Sequence, residues 1–135
     1  IKSGVAAVFE DVESRIGTAA AMAVRELQDY NDRTEDMDQA GKVAEAGKLG
    51  KISKAVLMAE KIANFETSIE RPNPAKAPEW HAKYFQSRIE VGRAAADAHP
   101  AMAAQLEKTY ARGVAALQRS APANTKQPAP KRPAL

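Results

Sequence analysis

Hydrophobic residues fall at steps of four and three along most of this chain, the repeat of an α-helix that hides one face. Val5, Phe9, Val12, Ile16, Ala19, Ala23, Leu27 and Tyr30 form the first such stripe. It predicts a helix of about 26 residues, with Ser3 as N-cap and Gly17 as a tolerated flaw. The polar run from Asn31 to Asp38 ends this helix or carries it into solvent, and Thr34, with acids after it, is placed to cap a restart. A second helical region runs from about Asp36 to Ile69, interrupted near Gly47 and Gly50.

The later half of that region is the stronger helix. Ile52, Val56, Ala59 and Ala63 fall beside Ala55, Met58, Ile62 and Phe65 on the helical wheel and cover about half its circumference. An arc that wide predicts a helix with two neighbours. Residues 71 to 78, R-P-N-P-A-K-A-P, read as a stiff linker, because prolines cannot continue a helix. Pro78 is placed to open a third main helix. Trp80, Tyr84, Val91 and Ala95 share one face of it, with Phe85, Ile89, Gly92 and Ala96 alongside. His99-Pro100 ends it and opens a fourth, striped by Ala103, Leu106, Tyr110, Gly113 and Leu117.

Beyond Ser120 the periodicity stops, and A-P-A-N-T-K-Q-P-A-P-K-R-P-A-L is polar, basic and proline-rich. The expected organisation is therefore an all-α domain over residues 1–120 and a tail over 121–135. About four helices pack as a bundle or an extended, coiled-coil-like assembly.

Composition narrows this picture. The chain has 135 residues, enough for one core. Apolar residues are 44% of it and aromatics only 5%, so much of the apolar share is alanine. Small residues such as Ala19, Ala23, Ala59, Gly92 and Gly113 favour helices packed closely side by side over a β-sandwich. No stretch approaches the roughly 18 to 20 apolar residues that span a bilayer. The absence of cysteine removes disulfides, thiolate nucleophiles and cysteine-ligated zinc, and suits both reducing and oxidising compartments. The first residue is Ile1 in place of methionine, which leaves room for a removed signal or pro-segment. A cytoplasmic place, or one inside a supramolecular particle, is the simpler expectation.

The net charge is +3, but its distribution says more. Acids outnumber bases from Val5 to Gly41, lysines dominate from Lys42 to Lys61, and the tail carries Arg119, Lys126, Lys131 and Arg132 without an acid. An acidic first helix and a basic second one are complementary, within one chain or between copies.

Candidate chemistry is sparse. His81 sits beside Trp80 and reads as a packed structural histidine, while His99 stands at the cap position before Pro100. Neither is preceded by glutamate at the Glu-x-x-His spacing of di-iron bundles. Asp36 to Gly41 resembles the start of an EF-hand loop, but Ala40 and Gly47 stand where oxygen ligands belong. Gly41 to Leu49 misses the phosphate-loop spacing and has no Ser or Thr after Lys48. Gly47-Lys48-Leu49-Gly50 has the GxxG form of a KH domain but no strands around it. Enzymatic function and cofactors are thus not expected.

Two surfaces remain. A cationic helix with Lys48, Lys51, Lys54 and Lys61 outward and Leu49, Ile52 and Val56 inward would face phosphates of nucleic acid or lipid, joined by Arg119, Lys126, Lys131 and Arg132. Pro128, Pro130 and Pro133, with Trp80 and Tyr84, are candidate protein-binding residues, Pro130 to Pro133 having PxxP spacing. The leading expectation is a non-enzymatic structural or adaptor subunit, homo- or hetero-oligomeric, acting through helix–helix contacts in a virion, ejection or secretion assembly. A nucleic-acid accessory protein is second and a peripheral membrane-surface protein third.

Overall fold

The computed structural model describes residues 17–120 together with residues 10, 11 and 14. The expectations placed on Ser3, on the stripe from Val5 to Ile16 and on the tail over 121–135 lie outside the described residues. Within them the fold is all-α, with no strand: α1 (Thr18–Thr34), α2 (Gln39–Ala46), α3 (Lys51–Glu70), α4 (Pro78–Ala94), a short 3-10 turn (Ala96–Ala98) and α5 (Pro100–Ser120).

Three boundaries differ from the periodicity, one of them the end of α4, which stops at Ala94 and gives way to the 3-10 turn before His99-Pro100. Gly17 is not a flaw inside a long helix: its φ of 98° lies in the left-handed region, and α1 starts immediately after it. Glycine alone adopts that backbone without steric cost, and that freedom outweighed the continuous stripe. The second region also divides fully, so five α-helices stand among the described residues where about four were expected. Asp38, not Thr34, caps the restart, its Oδ1 accepting from the Gly41 amide at 2.8 Å. Thr34 closes α1 instead, its hydroxyl donating to the Tyr30 carbonyl at 2.7 Å.

The connection between α2 and α3 is anchored at both levels. Leu49 is buried, and the Gly50 amide donates to the Glu26 carboxylate of α1 at 3.1 Å. Ser53, one turn into α3, donates to the Ala23 carbonyl at 3.4 Å. As numbers rise in α3 they fall in α1, so the two helices run antiparallel.

Pro78 occupies the first turn of α4, as its fixed φ and missing N–H favour. The linker before it is pinned: the Asn73 side chain accepts from the Ala75 amide, and His81 Nε2 donates to the Asn73 carbonyl at 3.1 Å. His99 Nδ1 accepts from the Met102 amide at 3.2 Å, capping α5. Both histidines therefore have structural partners.

The core lies where α3, α4 and α5 meet. Phe65 stands edge-on to Phe85 at 5.3 Å between centroids and lies 5.8 Å from Tyr110. Leu57, Met58, Ile89 and Leu106 complete it, fully enclosed. α4 and α5 run antiparallel at very close range, with Leu106 over Gly92 and Phe85 over Gly113; a Cβ at either glycine would overlap the facing side chain. α3 also touches α1 and the 3-10 turn, so it is the central helix.

Candidate functional site

Central position does not bury all of α3. Ser53, Leu57, Met58 and Phe65 point inward, while Ile52 is 49% and Val56 43% exposed, with Ala59 and Ala63 exposed beside them. These four recur at four, three and four residues, so they form one straight outward stripe. Met22 of α1, 60% exposed, extends it sideways. Between α1 and α3 the surface dips into an open groove of about 380 Å³, lined by Ala19, Met22, Ala23, Glu26, Gly50, Lys51, Ile52 and Ser53.

This overturns the expected orientation of the cationic helix. Leu49 does go inward, but Ile52 and Val56 go outward, and two of the lysines take the sheltered side. The side chains of Lys54 and Lys61 keep only 11% and 13% of their surface exposed. Their methylene stems lie along the fold while their ammonium groups reach Asp97 at 3.0 Å and Glu60 at 3.1 Å. Burial is the main cause that pushes the Lys61 ammonium below its ordinary pKa, with Glu60 pulling it back. The physical reason is packing: Phe65 and Leu57 reach the aromatic centre of the core only if α3 turns Ile52 and Val56 away from it.

The remaining candidates are scattered. Lys48 pairs with Glu45 at 2.9 Å and is largely solvated. Lys51 is exposed and has no ion-pair partner among the described residues. Arg119 is exposed in the last turn of α5, far along the chain from these lysines. Lys126, Lys131, Arg132, Pro128, Pro130 and Pro133 lie outside the described residues.

Trp80 and Tyr84 do come together. Their rings stack at 5.2 Å with 16° between planes, and cations bracket them: Lys76 Nζ lies 5.2 Å from the Trp80 ring and the Arg88 guanidinium 4.6 Å from that of Tyr84. The i, i+4 spacing of Trp80, Tyr84 and Arg88 builds this ladder along α4, and Lys76 joins it from the turn before the helix. Trp80 remains 41% exposed, and its neighbour His81 is buried. On the far side of α4 a second groove, about 410 Å³, opens between Pro78, Phe85, Tyr110, Val114 and Leu117.

Among the described residues no three His, Asp or Glu side chains gather as a metal site, and no helix is long and apolar enough to cross a membrane. The arrangement offers surfaces for binding: an apolar helix face, a shallow groove on either side of the core and an aromatic ladder. Sequence reasoning missed the first of these. The signal was present in the width of the apolar arc on α3, which exceeded what its neighbours could cover.

Comparison with known proteins adds no relative: no family model, curated protein or solved structure matches the chain.

Proposed function

We propose that this chain is a non-enzymatic structural or adaptor subunit that works by helix–helix contact within a larger assembly, of the kind found in virions, ejection machines or secretion systems. The observation that carries this reading is the outward apolar stripe of α3, Ile52, Val56, Ala59 and Ala63, continued by Met22. Single exposed apolar residues are ordinary, but a contiguous stripe on a well-formed helix is the feature that protein partners cover. The alanines allow another helix to approach closely, and the larger side chains supply area.

Nucleic acid ranks lower because Lys54 and Lys61 are engaged by Asp97 and Glu60 and Lys48 by Glu45, which leaves Lys51 alone of these four lysines without an ion-pair partner among the described residues. A membrane surface ranks lower because Glu60, Glu66 and Glu70 are also exposed on α3, where anionic headgroups would repel them.

The test compares the chain in extracts of its native source with a variant carrying Ile52→Lys and Val56→Lys. The native chain is expected to migrate in a particle far heavier than its 14.5 kDa. The variant is expected to be released from that particle with its helical circular dichroism intact. Migration of the native chain at its own mass, at low and moderate salt alike, would remove the reading.

A further inference from the structure

Resting on that reading, we propose that the outward face of α3 binds the same face of a second copy, antiparallel and related by a two-fold axis. The stripe has a property that selects this partner. Its steps of four, three and four residues read identically in both directions, so an antiparallel copy matches it position for position. Ile52 then lies over Ala63 of the second copy and Val56 over Ala59, large against small at all four places, the complementarity that close helix packing requires. A parallel copy sets Ile52 on Ile52 and Val56 on Val56, and leaves the alanines facing a gap.

Charge selects the same arrangement. Lys51 stands exposed at one end of the stripe and Glu66 at the other, both without an ion-pair partner among the described residues. Both lie on the same flank of the stripe, so antiparallel pairing brings Lys51 beside Glu66 of the second copy, twice by symmetry, whereas parallel pairing leaves the two charges at opposite ends and unpaired. Glu26, held on the Gly50 amide, stands near Lys51 and offsets part of this attraction. The charges therefore fix direction and register more than strength.

One helix face is narrower than the roughly 800 Å² per partner of stable complexes, so association is expected at about 10–100 μM. Sedimentation of the purified full chain across that range should show a monomer–dimer equilibrium, shifted to monomer by Val56→Lys. The chain has no cysteine, so introduced thiols report geometry cleanly. In the antiparallel dimer the two copies of position 59 are offset by about 4.5 Å along the axis, and those of position 63 by about 16 Å. Ala59→Cys should oxidise to a covalent dimer, Ala63→Cys should not, and a mixture of Ile52→Cys with Ala63→Cys should form the mixed dimer.

Equal self-linking at both positions would overturn the antiparallel arrangement. A monomer at every concentration would overturn the second copy as occupant, and if Val56→Lys also lowered its Tm the face would belong to residues 1–16 of the same chain. A heavy particle in source extracts beside a purified monomer would remove this inference alone. A chain that is monomeric in both settings would remove the adaptor reading as well.

Discussion

Gly113 faces Phe85 so closely that even a methyl group cannot enter without displacing the ring. Alanine there gains roughly 1 kcal/mol of helix propensity, while overpacking a filled core costs about 1–3 kcal/mol. Because the neighbour is a rigid ring held by Phe65, the packing cost should win: Gly113→Ala is expected to lower stability by about 1 kcal/mol, read from urea midpoints. An unchanged or raised midpoint would mean that α4 and α5 separate freely. Buried polar side chains show a second residue-scale rule. The Thr109 hydroxyl donates to the Gln105 carbonyl at 2.9 Å and accepts from the Gln105 side-chain Nε2 at 3.1 Å, so its complete burial leaves no orphan. The sequence marked Gly113 as an interface position from its place in the stripe. It did not mark Thr109 or Ser53, because a hydroxyl satisfied by its own or a neighbouring helix carries no periodic signal.

At the scale of elements, α3 is apolar on more of its surface than its neighbours cover, and packing decides which part is hidden. Leu57 is 2% exposed and the adjacent Val56 43%. Leu57→Ala is accordingly expected to cost about 2–5 kcal/mol, whereas Val56→Lys should change the stability of the dilute chain by less than about 0.5 kcal/mol. Thermal melts at low micromolar concentration distinguish them, and the reverse order would put the stripe inside the fold. Element ends were more legible than faces. Pro78, His99-Pro100 and the interruption at Gly47 and Gly50 were readable because proline and glycine act through local backbone geometry. Gly17 was misread for the same reason inverted: its positive φ is a choice that the helical pattern around it hides.

Across the whole molecule, ion pairs tie neighbouring elements together. Arg33 reaches Glu45 between α1 and α2, Lys54 reaches Asp97 between α3 and the 3-10 turn, and Arg93 reaches Glu107 between α4 and α5 at 2.7 Å. Hydrogen bonds from Lys48 and then Arg33 hold the Glu45 carboxyl below its ordinary pKa; Lys54 does so for Asp97 and Arg93 for Glu107. A carboxylate lowered in the fold adds stability above its unfolded pKa and loses it as pH falls through the folded value. The unfolded values are 4.5 for the glutamates and 3.8 for Asp97, so Tm should be flat from neutral pH to about 5 and fall below it. High salt should make that fall shallower, since each pair has at least one partner open to solvent: Arg33, Asp97, and both Arg93 and Glu107. A Tm that rises on acidification would contradict the pairing. The sequence by itself determined that the chain is helical, where its proline-marked ends lie and which residues are small enough for close contact, because those properties depend on a residue and its near neighbours along the chain. Only the tertiary structure decided which face of α3 meets water and where Lys54 and Lys61 lie, because burial is a competition among all the helices for one limited core.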